Sequence, residues 1–232
     1  MKDICEPDVM ELLKDISFRQ ATIDDIDFII EAVIEAEKGG SDLISTCCIF
    51  ALSEERYKVV LRNIFEQDIE NFDYYLSGYL IAESGGNYIG ASGSWLEGAG
   101  DIPSGIIRST LLLPYLDKCR ISEIKKNTKI ISGFIIPREP GALQIEYVYI
   151  KNQFRGKGVF SRVVMENIKR NMDKYSFTKV QSILFKDNTR SYNAFLKLGY
   201  KVAEEKSVND PDILKFFPYN TKALMELKKE SF

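Results

Sequence analysis

The sequence predicts a mixed α/β (α+β) fold in which helices flank a partly parallel central sheet. Segments that alternate between apolar and polar residues are interleaved with segments of helical periodicity, and hairpin signals lie towards both ends. One strand-turn-helix-strand unit in the second half requires two parallel strands. The chain has 232 residues, 45% of them hydrophobic, which is enough for one core. We therefore expect a single domain over residues 1–232, with an insertion at about 97–141.

Capping and turn residues define the elements of the first half. Thr22 suits a helix N-cap, and the apolar residues after it recur at helical spacing until Gly39, which suits a C-cap. The pair Gly85-Gly86 separates two alternating segments and indicates a hairpin. We expect helices at 9–14, 22–39 and 53–70, and strands at 16–19, 75–82 and 87–95.

The second half begins with the stretch at 97–141, which breaks this rhythm. It contains an apolar helix candidate at 106–116 and a shorter segment at 129–136. The apolar residues of this insertion could pack in its own core, which we favour, or form the face of a homodimer. Regular periodicity then resumes, and Gly199 ends the last helix. We expect strands at 143–150, 179–185, 200–203 and 223–228, and helices at 157–172 and 189–198.

Composition excludes several classes of protein. Lys and Arg number 31 and Asp and Glu 34, so a net charge of -3 gives no electrostatic footprint for nucleic acid. Histidine is absent, which excludes His-based triads and His-ligated metals. The four cysteines, Cys5, Cys47, Cys48 and Cys119, have neither metal nor disulfide spacing, and no segment approaches the roughly 20 apolar residues of a membrane span. We expect a cytoplasmic protein with no metal and no membrane or nucleic-acid partner.

The segment from the strand at 143–150 to the helix at 157–172 carries the clearest chemical signal. A strand that ends in a glycine-bearing turn directly before a helix directs several free backbone N–H groups to one place. Gly156 and Gly158 have no Cβ, so an anion can approach the amides. Arg155 and Lys157 add positive charge. The segment therefore predicts an anion-binding turn.

A pair of glycines after a strand is also typical of a simple turn, so the alternatives need comparison. The Walker pattern requires Gly-Lys-Ser/Thr, but Val159 follows Gly158. The dinucleotide fingerprint requires a third small residue, which Ser161 could supply. It also requires an acid about 20 residues further on, at the end of the next strand, and no acid lies cleanly at that distance. Both nucleotide patterns are therefore disfavoured.

The remaining pattern is Gln/Arg-x-x-Gly-x-Gly/Ala, found here as Gln153-x-x-Gly156-x-Gly158. A second motif follows downstream, where Asn188, Ser191, Phe195 and Gly199-Tyr200 match Asn-x-x-Ala-x-x-x-Tyr-x-x-x-Gly-Phe in part. With these residues, the sequence resembles the GNAT family of N-acetyltransferases. The order of strands and helices over 16–228 matches as well, so the resemblance covers nearly the whole chain.

The resemblance implies a splayed central sheet that binds acetyl-CoA as the acyl donor, with no metal. The pantetheine arm would lie along 146–150 like an added strand, and the diphosphate would lie on the turn. The backbone N–H groups implied to meet the phosphates are those of Phe154, Arg155, Gly156, Lys157, Gly158 and Val159. Asn188 would meet the pantetheine region. It is also a suitable N-cap for the following helix, and the two uses are compatible.

The resemblance also implies catalytic roles. Glu146 occupies the strand position where many relatives carry the base that deprotonates the amine; alternatively it faces solvent or pairs with a surface lysine. A backbone N–H near Tyr149 or Ile150 would hold the oxyanion. Relatives commonly place a tyrosine as general acid where this sequence has Phe195, which lacks a hydroxyl. Tyr192 lies nearly one turn earlier and is the alternative candidate.

The predicted function is acetyl transfer from acetyl-CoA to a primary amine of a small molecule or a peptide, by direct transfer. A noncatalytic acyl-CoA-binding module with the same fold is the alternative. A different nucleotide-phosphate binder that uses the same turn is a weaker one. The acceptor stays open, because no motif is readable within 97–141.

Overall fold

Within residues 12–231, which the computed structural model describes, seven strands form one mixed sheet. Their order in the sheet is β1-β2-β3-β4-β5-β7-β6, and only β4 and β5 are parallel neighbours. The predicted fold class is therefore confirmed. The strands are β1 (Ser17–Gln20), β2 (Leu80–Ser84), β3 (Asn87–Leu96), β4 (Leu143–Ile150), β5 (Lys179–Phe185), β6 (Lys201–Ser207) and β7 (Thr221–Lys228).

Seven α-helices lie within the same described residues, and they cover both faces of the sheet. They are α1 (Ile26–Lys38), α2 (Ser45–Phe50), α3 (Glu54–Phe65), α4 (Ser104–Leu112), α5 (Ile121–Ser132), α6 (Val159–Lys174) and α7 (Thr189–Lys197). Helices α1 and α3 share one apolar cluster with Tyr149 of β4, whereas α6 and α7 share another with Ile145 of β4. None of these helices is long and apolar enough to cross a membrane.

The predicted end of the first long helix is confirmed, whereas Thr22 caps a 3-10 turn, Ile23–Asp25, that leads into the α-helix. The Asp25 carboxylate accepts hydrogen bonds from the Thr22 backbone N–H and hydroxyl, at 2.8 and 3.1 Å. It also forms two hydrogen bonds with the Arg19 guanidinium and one with the Tyr88 hydroxyl. Gly39 follows α1 with a φ of 58°, the left-handed conformation of a C-cap. The helix start is thereby tied to β1 and β3.

Several predicted boundaries are wrong. The strand expected at 75–82 begins only at Leu80, because a 3-10 turn, Leu76–Gly78, precedes it. The helix expected at 53–70 ends at Phe65, shortly before a left-handed residue, Asp68. Helix α2 was not predicted, and the first half of the segment at 129–136 is the end of α5. The first half of the helix expected at 9–14 lies outside the described residues, and Cys5 lies outside them as well.

Strand β4 has a bulge opposite β3 and separates from β5 after its first two residues. Gly93 on β3 is opposite Glu146, but Ala91 is opposite Tyr149, so Tyr147 and Val148 together face a single residue of β3. This is a β-bulge, and Tyr147 has the positive φ of 52° that such an insertion can require. Among the described residues, β4 pairs with β5 only through its first two residues, Leu143 and Gln144. The second half of β4 therefore has one unpaired edge.

Close approach of β3 to the end of β4 requires a glycine, and we expect Gly90→Ala to lower the free energy of unfolding by about 1–3 kcal/mol. A Cβ at Gly90 would lie 2.6 Å from both the Ile150 Cδ1 and the Tyr149 carbonyl oxygen. The measurement is urea denaturation. Gly105→Ala in α4 is the matched control, since a Cβ there meets nothing within 4 Å and alanine favours the helix. An equal loss of stability in both variants would contradict the packing argument.

Candidate active site

The turn after β4 directs unpaired backbone N–H groups towards solvent. Gly156 and Gly158 have φ values of 74° and 78°, in the left-handed region where glycine is favoured, and a Cβ at either would meet nothing within 4 Å. Gly158 is the N-cap of α6. Within residues 12–231, no backbone oxygen or side chain accepts a hydrogen bond from the N–H groups of residues 156–161. The positive end of the α6 dipole lies at the same place, so the turn suits an anion.

Cationic side chains surround this turn. Asn152, Arg155, Gly156 and Arg190 line an open pocket of about 550 Å³. Arg155 donates from Nε to the Ile150 carbonyl at 2.7 Å, which fixes its guanidinium beside the turn. Arg190, in the first turn of α7, was missed from the sequence. Its position directly after the Asn188-Thr189 helix start was the signal that could have identified it.

Two of the residues implied to meet the phosphates have a different role in the structure. The backbone N–H groups of Phe154 and Arg155 donate to the carbonyls of Lys151 and Asn152, so they close the turn. The Phe154 side chain is fully buried under the turn, against Val159. The N–H donors that remain directed outward begin at Gly156.

The helix after β5 shows the predicted cap. The Asn188 side chain accepts a hydrogen bond from the Ser191 backbone N–H at 3.4 Å. Phe195 is buried and packs edge-on against Phe160 and Tyr200. Tyr192 is half-buried, and its hydroxyl makes no hydrogen bond within the described part of the chain.

Glu146 is paired with an arginine and not with a lysine. Arg138, just before β4, donates from Nη2 to both carboxylate oxygens at 2.8 Å and from Nε to one of them at 3.1 Å. The guanidinium lies 5.2 Å from the centre of the Trp95 ring. Burial raises the pKa of Glu146, although Arg138 opposes this. The side chains of Arg138 and Glu146 are 18% and 11% exposed, so the pair is largely buried but reaches the surface.

A second ion pair lies beside the bulge. Arg108 of α4 donates to Asp73 Oδ2 at 2.7 Å, and the Tyr147 hydroxyl donates to the same oxygen at 3.2 Å. Asp73 Oδ1 is buried and has no hydrogen-bond partner among residues 12–231. Arg108 and Arg138 both come from the stretch 97–141, in which no motif was readable. That stretch therefore supplies charge to the site.

Two further acids contact tyrosines on the same side. The Tyr149 hydroxyl donates to Glu31 Oε1 on α1 at 2.7 Å. Glu37 accepts hydrogen bonds from Tyr57 and from the backbone and side chain of Thr46, and burial raises its pKa. This buried acid was not predictable from sequence, because Glu37 lies among the charged residues at the end of α1.

The cysteines take no part in this arrangement. Cys47, Cys48 and Cys119 are free. Burial raises the pKa of Cys47 to about 12, so its thiol stays protonated at neutral pH. Within the described residues, no group of His, Cys, Asp or Glu could hold a metal ion.

No protein-family model matches the sequence, and no curated protein matches it. Solved structures do match. An N-acetyltransferase from Staphylococcus aureus Mu50 is 14% identical with a TM-score of 0.62, over 91% of this chain and 100% of that one. A putative acetyltransferase from Acinetobacter baylyi ADP1 is 16% identical with a TM-score of 0.54, over 93% and 94%. The chain has the GNAT acetyltransferase fold.

A further structure with the GNAT fold contains a ligand. It is a putative acetyltransferase from Salmonella typhimurium with its cofactor acetyl-CoA, 14% identical with a TM-score of 0.50, over 92% of this chain and 94% of that one. The diverging strands and the glycine turn described above are the two features that the resemblance to the GNAT family implied from sequence.

The Arg138–Glu146 pair should make the stability of the protein depend on pH. We expect Arg138→Met to lower the free energy of unfolding at pH 7.5 by about 1–3 kcal/mol, because it leaves a carboxylate buried without its partner. The folded-state pKa of Glu146 is already raised in the wild type and rises further in the variant, so the loss of the ion pair grows as pH rises through the wild-type folded-state pKa towards that of the variant and is absent below both. Urea denaturation at pH 4.5 and 7.5 measures the difference.

The double variant Arg138→Met/Glu146→Gln is the control, since it removes the charge together with its partner. It should recover most of the stability at pH 7.5. A loss for Arg138→Met that is the same at both pH values would show that the packing against Trp95, and not the ion pair, is responsible.

Proposed function

We propose that the protein is an N-acetyltransferase that transfers an acetyl group from acetyl-CoA to a primary amine of a small molecule or a peptide. The observation that carries the proposal is the divergence of β4 from β5, which opens onto the glycine turn with its unpaired N–H groups. A strand edge and an anion-binding turn at its end match the two halves of coenzyme A, an amide-bearing arm and a diphosphate. The acetyl-CoA in the Salmonella structure supports the same ligand.

Residues of the turn would hold the diphosphate. The N–H groups of Gly156, Lys157, Gly158 and Val159 are the donors, and Arg190 lies across the pocket. In a strand, N–H and C=O groups alternate between its two edges, so the free edge of 146–150 offers both to the pantetheine amides. Asn188 would remain a helix cap close to that arm.

Direct transfer requires an uncharged amine, and Glu146 is our candidate for the base. An amine with a pKa near 10 is neutral in only about one molecule in a thousand at pH 7, so a proton acceptor raises the rate. Burial raises the pKa of Glu146 towards the range where a carboxylate is an effective base. A backbone N–H at Tyr149 or Ile150 would stabilise the oxyanion.

The departing thiolate needs little help. The pKa of a thiol is about 8.5, so the thiolate leaves without full protonation. Phe195 cannot donate a proton, and its ring is buried. Tyr192 is the remaining hydroxyl candidate on α7, and we assign it a minor role for this reason.

The phosphate-binding turn is tested by Gly158→Val. Wild-type protein at 100 times the Kd of acetyl-CoA gains about 2.7 kcal/mol, which corresponds to a rise in Tm of about 5–10 °C for a domain of this size. We expect acetyl-CoA and CoA to produce this shift and Gly158→Val to abolish it, because a branched side chain would occupy the diphosphate position. Differential scanning fluorimetry with CoA, acetyl-CoA, ATP and NAD measures the shift.

Gly100→Val is the matched control. Gly100 also has a left-handed φ, of 81°, with nothing within 4 Å, so it imposes similar backbone strain away from the turn. It should keep the full shift. If Gly158→Val also keeps it, or if ATP or NAD but not CoA produces it, coenzyme A does not bind at the turn and the proposed function is wrong.

The base is tested by Glu146→Gln. We expect the acetylation rate to fall by about 100- to 10,000-fold while acetyl-CoA still raises the Tm by the wild-type amount. The release of free CoA thiol in the presence of a panel of amines measures turnover. Full activity in Glu146→Gln would exclude this residue as the base and leave a water path as the proton acceptor.

Two observations favour the second candidate, a noncatalytic acyl-CoA-binding module. Glu146 is bound to Arg138 through three hydrogen bonds, and Phe195 replaces the usual tyrosine. If acetyl-CoA binds but no amine of the panel releases thiol, this candidate replaces the first.

A further inference from the structure

Lys222 of β7 lies on the face of the sheet that carries Glu146. Gln144 and Gln181 are opposite each other on β4 and β5, and their side chains are hydrogen-bonded, so both lie on one face. Alternate residues of a strand share a face, which adds Glu146 on β4 and Phe185 on β5. Lys222 is directly opposite Phe185. The lysine and the candidate base therefore lie on the same face, on either side of the divergence.

Three aromatic rings surround the Lys222 amine. Its Nζ lies 4.1 Å from the ring centre of Phe217, 4.6 Å from that of Phe134 and 5.6 Å from that of Phe185. Nζ forms neither a hydrogen bond nor an ion pair with any of residues 12–231. Ring faces stabilise an ammonium group but leave its N–H donors unused. The side chain is partly exposed, so these donors are available to a ligand.

Arg138 has an unused donor on the same face. Its Nε and Nη2 bind Glu146, but its Nη1 makes no hydrogen bond within the described residues. Buried polar groups in proteins are nearly always satisfied, and unsatisfied donors at a partly exposed site are available to a ligand. Two cationic groups with free donors therefore face the region beside Glu146.

The charges that face Lys222 are mainly positive. Burial, together with the charges of Arg138 and Arg108, lowers the pKa of Lys222 to about 7, while Glu146 has the opposite effect. Both arginines already have carboxylate partners. Lys206 of β6, directly opposite Lys222, donates to a backbone carbonyl. The region has an excess of positive charge that an anion would neutralise.

We propose that Lys222 and Arg138 bind an anionic group of the acceptor, so that the acceptor is a primary amine that also carries a carboxylate or a phosphate. The inference rests on the proposed function and names the substrate class of that site. An oxyanion held by the two free donors would place the amine of the same molecule on the side of Glu146. The arginine comes from the stretch 97–141, which would thereby contribute to acceptor selection.

The surroundings favour anion binding over a role for Lys222 as a base. A base must lose its charge, but three ring faces stabilise the charged form. Glu146, on the same face, is already a carboxylate that can accept the proton. A bound anion would favour the charged form further, so a lysine in this position beside a second cation is suited to bind an anion.

Direct binding is the first test. Sodium acetate and sodium phosphate are titrated by calorimetry into CoA-saturated protein at pH 7, so that the phosphate-binding turn is occupied. We expect Lys222→Met to weaken binding of at least one anion by about 10- to 100-fold, because a charge-assisted hydrogen bond is lost. Lys222→Arg should keep the affinity within about threefold. Lys206→Met, which removes a neighbouring charge outside the ring cluster, is the matched control and should bind as wild type does.

The pH dependence distinguishes a titrating lysine from a general charge effect. An anion binds the charged amine, so its binding raises the pKa of Lys222 and takes up protons at pH 7–8. Affinity in the wild type should fall as pH rises from 7 to 9, whereas Lys222→Arg should bind with no such dependence. Titrations in two buffers of different ionisation enthalpy measure the proton uptake. Unchanged anion binding in Lys222→Met would overturn the proposal.

Matched acceptors identify which anion is recognised. L-alanine is compared with ethylamine, and O-phosphoethanolamine with ethanolamine, by CoA release. We expect the anionic member of one pair to be preferred, and Lys222→Met to reduce that preference at least tenfold by raising KM. If Lys222→Met and Lys222→Arg both lower kcat for both members of each pair, Lys222 acts on the proton and the proposal is wrong. Anion binding that depends on Lys222 without any CoA release would support the anion site and contradict the proposed function.

Discussion

The separation of β4 from β5 is the constraint on which the rest of the structure depends. β4 pairs with β3 along most of its length but with β5 only through Leu143 and Gln144, so its second half has a bare edge in the middle of the sheet. The bulge at Tyr147 and Val148 sits where the strands part, and bulges bend the strand that carries them. It also places Glu146 and Tyr147, which are consecutive, on the same face. One extra residue thus accompanies the open edge and directs two consecutive polar side chains to one side.

Arginines from the stretch 97–141 stabilise the two acids that lie partly or fully buried beside the bulge. An isolated carboxylate beside the bulge would be costly, and Arg108 and Arg138 lower that cost for Asp73 and Glu146. The cost of such pairing is reduced basicity, because a bidentate arginine opposes protonation of the carboxylate. The partial exposure of Arg138 leaves room for a ligand to compete for it. The stretch 97–141 therefore affects both the stability and the reactivity of the site.

The local parts of this arrangement were predictable from sequence, and the long-range parts were not. β4 and β5 were predicted with their observed bounds, because each is a short apolar segment bounded by turn residues. The glycine turn and the Asn188 cap depend on backbone conformation that adjacent residues determine. By contrast, Arg138 lies eight positions from Glu146 in a segment without periodicity, and Lys222 meets Phe134 only through the tertiary fold. Asn188 and Gly158 also show what a sequence motif does not predict. A motif identifies a position in the fold but not the group that binds there.

A chain without histidine must obtain groups that titrate near neutral pH from other side chains, and burial provides them here. Removing a carboxylate from water raises its pKa, whereas removing an ammonium group lowers its pKa, so the same change of environment moves Glu146 and Lys222 towards neutrality from opposite directions. The two groups lie on one face of the sheet on either side of its opening. Their neighbours differ, because Glu146 is paired with an arginine, whereas Lys222 has ring faces that favour its charged form against the effect of burial. An anionic acceptor would act on both at once, because its negative charge would raise the pKa of Glu146 and of Lys222 alike.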